Sequence, residues 1–210
     1  MSPARPLILF APGAGAPSSS GWMRRWAKRL SGLGRVAPFD YPYMLARPRR
    51  KAPDRPDVLV AAHLESLERA RKGHRGPVVL AGKSMGSRIG CHAAVALEAQ
   101  AGGRPPDALV CFGYPLRSPS GALRDQVLVS LERTPILFVQ GTQDALCPLE
   151  LLASTRARMA APGELHVVEG GDHSLVVGAR RLKEAGLTQE GVEQAALEAV
   201  AAFLERALRR

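Results

Sequence analysis

Six short apolar runs, each separated from the next by a longer segment of helical periodicity or turn residues, constrain this chain more than any other feature. They are Pro6 to Ala11, Arg35 to Asp40, Pro77 to Ala81, Ala108 to Phe112, Ile136 to Gln140 and Leu165 to Val168. Most are continuous rather than alternating. A strand that is apolar on both faces must be covered on both, which predicts a mostly parallel sheet between two helical layers. Helices are expected at Ser20 to Ser31, Asp57 to Lys72, Ser84 to Gln100, Pro148 to Ala160 and Thr188 to Leu208. In the last, Val192, Ala196, Ala199 and Phe203 form one apolar stripe, Thr188 can cap the start, and Arg206, Arg209 and Arg210 suit the negative end of the helix dipole. Met44 to Pro56 and Tyr114 to Thr134 read as irregular, the second with room for one short helix. The pattern is α/β throughout.

The chain has 210 residues, of which 46% are hydrophobic and 23% charged. That composition suits one ordinary folded core, so residues 1–210 are read as a single domain. No apolar run approaches the roughly 20 residues needed to span a bilayer. Arg5, the apolar Leu7 to Phe10 and Ala14-Gly15-Ala16 imitate a short signal peptide, but Pro12 and Gly13 interrupt it. Three cysteines, Cys91, Cys111 and Cys147, show neither disulfide arithmetic nor metal-ligand spacing, which fits a reduced, cytoplasmic setting without a metal.

Net charge is +10, a value that invites a nucleic-acid reading. Its location argues otherwise. Between Arg24 and Arg75 there are 14 basic and 5 acidic side chains, so +9 of the total sits in one segment and the rest is nearly neutral. Such a segment reads as a solvated face, with a surface for an acidic partner as the alternative.

The chemistry-bearing motif is Gly82-Lys83-Ser84-Met85-Gly86, a G-x-S-x-G pattern between the apolar Val78 to Ala81 and the helical Ser87 to Ala96. A serine there must occupy a sharp strained turn to lift its hydroxyl above the sheet, and glycine two residues to either side removes the side chains that would clash. A phosphate-binding loop would need glycine five positions before Gly82, where Pro77 stands. A dinucleotide fingerprint begun at Gly13 and Gly15 fails because its third glycine position holds Ser18.

Serine needs a base to take its proton, and the base needs a carboxylate to orient it. Of five histidines, His63, His74 and His92 lie on helices or their ends and His166 lies inside a strand run. His173, in Gly170-Gly171-Asp172-His173-Ser174, follows the last strand on a loop and is the favoured base, with His166 as the weaker alternative. Asp144 follows the fifth strand at the end where sites in parallel sheets collect, and Ser84, Asp144, His173 is the expected chain order. Asp172 and Asp125 are less suitable carboxylates. The oxyanion donors are expected at the Met85 amide and, from the loop after the first strand, the Ala14 amide, with Gly13 or Gly15 close behind. Lys83 has two readings, an ion pair with Asp40 or, for Lys83 or Arg88, attraction of a carboxylate- or phosphate-bearing substrate. Substrate selection is expected of Gly13, Gly15, Lys83 and the loop after Gly113, including Tyr114 and Leu116. Trp22 and Trp26 either join that pocket or pack the first helix.

Six ordered blocks carry a resemblance: Gly13 to Ser20, Phe39 to Tyr43, Gly82 to Arg88, Gly113 to Leu116, Val139 to Asp144 and Gly170 to Ser174. Together they resemble the small α/β-hydrolase-fold proteins related to NSL-complex subunit 3 of plants and animals and to testis-expressed hydrolase-like proteins, serine hydrolases of the dienelactone-hydrolase type. The resemblance implies a compact hydrolase fold without two leading antiparallel strands or a large cap, and the Ser84, Asp144, His173 triad. Such proteins usually carry His-Gly where this chain has Pro12-Gly13. The expected activity is cleavage of a small ester through an acyl-enzyme, with no cofactor and with nucleic acid and membrane not among its partners. The order, monomer or homodimer, is left open. A scaffold protein using the basic face is the competing reading.

Overall fold

The computed structural model describes residues 5–46 and 52–209. Residues 47–51 of the expected irregular stretch, and Arg210, lie outside them. Six strands form one fully parallel sheet: β1 Leu7–Ala11, β2 Arg35–Pro38, β3 Val78–Lys83, β4 Ala108–Phe112, β5 Ile136–Gly141 and β6 Gly163–Val168. Their order is β2-β1-β3-β4-β5-β6. Among the described residues eight helices accompany them: α1 Gly21–Leu30, α2 Pro42–Leu45, α3 Pro56–Arg71, α4 Met85–Ala99, α5 Gln126–Val129, α6 Leu149–Arg156, α7 Ala179–Glu184 and α8 Gln189–Ala207.

The continuous apolar runs have the meaning expected of them. Successive side chains of a strand point to opposite faces, and here each set meets its own helices. Leu7, Leu9, Val78, Leu80, Leu109, Cys111, Ile136 and Phe138 pack with Leu67 of α3, Leu97 of α4 and Leu152 of α6. Ile8, Phe10, Val79, Val110, Phe112, Leu137 and Val139 pack with Trp26 of α1 and Val200 and Phe203 of α8. No helix among the described residues is long and apolar enough to cross a membrane.

Several boundaries differ from expectation. β2 ends at Pro38, two residues early. α6 stops at Arg156, after which the chain turns. α2 and α7 were not expected: α2 is one turn within the resemblance block Phe39 to Tyr43 and the start of the supposed irregular stretch, and α7 buries no residue, so it carries no apolar stripe to read. The buried face of α8 comprises Glu193, Ala196, Val200, Phe203 and Leu204. It is rotated from the predicted stripe because Glu193, 3% exposed, points inward to the guanidinium groups of Arg25 at 3.0 Å and Arg29 at 3.1 Å. Part of the basic segment is therefore neutralised by the helix packed beside it. Arg69 pairs with Glu65 and Arg71 with Glu68 on α3 itself.

Candidate active site

Strand order reverses between β1 and β3, the kind of switch point where parallel sheets open a crevice beyond their carboxyl ends. Ser84 follows β3 there, and the loop carrying Gly13 and Ala14 follows β1. Ser84 has φ 51° and ψ −117°, a left-handed conformation that is costly for a residue with a side chain. The neighbours enforce it. A Cβ on Gly82 would lie 2.5 Å from backbone atoms of Gly86 and Ser87, and one on Gly86 would lie 2.5 Å from the Ala11 carbonyl oxygen. The two glycines thus let strand, turn and helix close on one another.

Asp144 and His173 come to the same point from the ends of β5 and β6. Ser84 Oγ donates to His173 Nε2 at 2.8 Å, and His173 Nδ1 donates to Asp144 Oδ2 at 2.8 Å. Asp144 is 3% exposed, and its buried carboxylate also accepts from Gln140 Nε2 at 2.6 Å and from the Leu146 amide at 2.9 Å. Burying a carboxylate is costly unless it is hydrogen-bonded, and these donors supply that. Gln140 was missed by sequence reasoning. Its signal was a polar residue ending an apolar strand run; the fully buried amide also accepts the Tyr114 N–H at 3.0 Å, locking the β4 loop to the carboxylate.

The loop bearing His173 is held from outside itself. Trp22 Nε1 donates to the Ser174 carbonyl at 2.9 Å, and Asp172 Oδ1 accepts the Ser174 and Val176 amides. Asp172 is thus a brace of the loop. Asp125 pairs with Arg158, and His166 sits in β6 opposite Val139 with its proton affinity lowered by burial. Neither reaches Ser84.

The loop after β1 passes close to Ser84: a Cβ added to Gly13 would lie 3.5 Å from the Ser84 Cβ. Tyr43 Oη donates to the Ala14 carbonyl at 2.7 Å and pins the loop. Within the described residues neither the Ala14 amide nor the Met85 amide donates to an acceptor.

Ser84 opens on two pockets. One, of about 360 Å³, contains Ala14, Trp22, Lys83, His173 and Ser174, with Gly13 and Gly15 on its wall. The other, of about 440 Å³, contains Ala14, Met85, Leu59, Arg88, Pro115 and Arg124. A larger concavity near Arg71 and Gln100 lies at the far end of α4, a helix whose 15 residues span about 22 Å.

Three expectations change. Tyr114 and Leu116 are fully buried core residues rather than pocket lining, because the chain leaving β4 turns them into the layer under α4 to α6; Pro115, between them, faces the pocket. Lys83 makes no ion pair with Asp40, whose carboxylate accepts the Ser18 amide at 2.6 Å. The Lys83 ammonium stands 5.3 Å from the centre of the Trp22 ring; burial lowers its proton affinity, and the fields of Asp172 and Asp144 oppose that. The two tryptophans divide: Trp26 is core, while Trp22 lines the pocket and braces the histidine loop.

Fold and site together define the class, a hydrolase on a parallel α/β sheet. The family described as an alpha/beta hydrolase domain matches residues 4–205, and the chain belongs to it. Among solved structures it is similar to a dienelactone hydrolase from Anabaena variabilis, at 18% identity and TM-score 0.69, covering 99% of this chain and 89% of that one. It is also similar to an alpha-beta serine hydrolase homologue from Coxiella burnetii, at 21% identity and TM-score 0.63, covering 92% and 86%. The type II thioesterase BorB from the borrelidin biosynthetic cluster matches at 20% identity and TM-score 0.65, covering 99% and 95%. At such identities the likeness establishes the fold.

Proposed function

We propose that this chain is a serine hydrolase that cleaves a small acyl ester through a covalent intermediate on Ser84. The observation that carries the reading is the unbroken hydrogen-bond relay from Ser84 through His173 to the buried Asp144. Ser84 Oγ attacks the acyl carbon while His173 Nε2 takes its proton. Asp144 keeps the proton of the neutral imidazole on Nδ1, so that Nε2 is free to accept, and stabilises the imidazolium that forms. Negative charge developing on the carbonyl oxygen is met by the Met85 and Ala14 amides, two donors that share the pocket with Ser84 and have no acceptor among the described residues. The tetrahedral intermediate collapses as His173 returns the proton to the leaving oxygen. Water, deprotonated by the same histidine, then attacks the acyl-enzyme and releases the acid. Every group in this cycle is supplied by the chain or by water. Relatives of the same fold named as a thioesterase, a dienelactone hydrolase and a serine hydrolase homologue support this reaction class.

The histidine's second task assigns the pockets. It must reach the leaving oxygen, so the leaving group belongs in the pocket that His173 lines and the acyl group in the one beyond Met85.

The test is intact mass after treatment with a fluorophosphonate. The wild type is expected to gain one adduct and Ser84→Ala none; a folded wild type whose mass does not move overturns the reading.

A further inference from the structure

The acyl pocket holds two guanidinium groups that form no ion pair among the described residues. Arg88 lies one helical turn after Ser84, on the same face of α4, and shares the pocket with Arg124 from the loop before α5. Arg88 Nη1 donates to His92 Nε2 at 3.2 Å, while its Nε is shielded from solvent without an acceptor. Among the described residues neither guanidinium forms an ion pair. Asp54, on the same wall, accepts the Tyr43 amide at 3.0 Å and bridges to neither.

Other arginines of this protein that meet a buried acid are paired: Arg25 and Arg29 share Glu193, and Arg158 bonds Asp125. Here two like charges converge instead. Burial first, and then the field of Arg88, reduce the proton affinity of Arg124, the cost expected of an uncompensated cation pair. Lys83, in the leaving-group pocket, differs in having Asp144 and Asp172 in its field. The cations without a carboxylate among the causes acting on them are therefore on the acyl side, where burial and Arg88 act on Arg124.

We propose that Arg88 and Arg124 form a carboxylate subsite, so that the preferred acyl group ends in a carboxylate a few bonds from the reacting carbonyl. Guanidinium groups suit this task because their planar donors match carboxylate geometry and stay charged. The inference rests on the serine hydrolase reading and on the pocket assignment made from His173.

The experiment compares kcat/KM for the mono-4-nitrophenyl ester of glutaric acid with that for neutral 4-nitrophenyl pentanoate, which has the same chain length. Wild type is expected to prefer the glutaryl ester by about tenfold to a hundredfold, the range for charge-assisted hydrogen bonds. In the Arg88→Gln, Arg124→Gln double variant, checked for fold by circular dichroism, the preference should collapse to near parity. Equal rates in the wild type, or a preference that survives in the double variant, overturns the subsite. Cleavage of pentanoate with fluorophosphonate labelling then leaves the hydrolase reading standing alone. If neither ester is cleaved and Ser84 is unlabelled, the hydrolase reading fails, and calorimetry with glutarate on Ser84→Ala protein judges the subsite. Binding that is lost on adding both arginine changes supports it; absent binding, or binding unchanged by them, overturns it.

Discussion

Ser84 and His173 meet at 2.8 Å but are held there by different means. Ser84 is set by its immediate neighbours in the chain: a strand that ends at Lys83, a helix that begins at Met85, and two glycines that let both approach. His173 is set by residues remote from it, with Asp144 29 positions earlier and Trp22 152 positions before the carbonyl it holds. Local constraint makes the elbow rigid wherever strand and helix form. The histidine loop is correct only once β5, β6 and α1 are all docked. The two sides should consequently fail differently: a fault near Ser84 damages the fold, whereas a fault near His173 damages turnover.

The largest effect is expected on the long-range side. Asp144→Asn should leave the fold intact but reduce kcat by about 10⁴, because the amide favours the wrong imidazole tautomer; steady-state kinetics with circular dichroism checks both halves. A decrease below about tenfold would mean that His173 does not depend on Asp144 as drawn.

Next comes the local side. Gly86→Ala puts a Cβ 2.5 Å from the Ala11 carbonyl oxygen, where only backbone can give way. Overpacking of about 3 kcal/mol corresponds to a Tm lowered by roughly 6–12 °C for a chain of this size. A calorimetric scan showing an unchanged Tm would refute the steric account of the elbow.

Trp22→Phe keeps an aromatic, though smaller, side chain and removes the bond to Ser174. One hydrogen bond is worth about 0.5–1.5 kcal/mol net, so kcat is expected to fall by up to about tenfold. A loss of the same size in binding of a neutral substrate, with kcat unchanged, would make Trp22 a pocket wall rather than a brace.

The smallest effect concerns the support beneath the elbow. His63 on α3 is fully buried beside α4, where a Cβ added to Gly90 would lie 3.5 Å from its ring; it hydrogen-bonds Tyr41 at 3.1 Å, and burial pushes its pKa to about 3 from 6.5. In that direction the folded state refuses a proton that the unfolded chain accepts. Stability is therefore full above pH 6.5 and falls as pH drops toward 3, by about 1.4 kcal/mol at pH 5.5. Urea midpoints at pH 7.5 and 5.5 measure it, and His63→Gln should remove this part of the pH dependence.

The same division explains what could be read in advance. All six strands were expected, most of them from continuous apolar runs, since coverage on both faces leaves its mark on nearly every residue of β1, β3, β4 and β5, whereas the edge strands β2 and β6 are only partly buried. The place of Ser84 between strand and helix was legible because that geometry is local, and the places of His173 and Asp144 because each follows a strand end. Less visible were groups whose role depends on direction. Tyr114 and Leu116 flank a residue that does face the pocket, and one residue of rotation sends them into the core instead. Gln140, Trp22 and Arg124 carry no local pattern. α7 buries nothing and so left no periodicity.

The charge of Arg24 to Arg75 shows the division most plainly. Sequence alone located +9 in that segment and separated it from Ser84, Asp144 and His173. Tertiary structure decided that Arg25 and Arg29 are neutralised by Glu193 of a helix more than 160 positions away, while Arg88 and Arg124, outside the segment, share a pocket without forming an ion pair among the described residues. Strand runs, elbow and helix starts follow from short-range sterics and burial, which neighbouring residues encode. Which charges meet, and which face a pocket, depends on distances between elements far apart in the chain, and those exist only after the sheet has assembled.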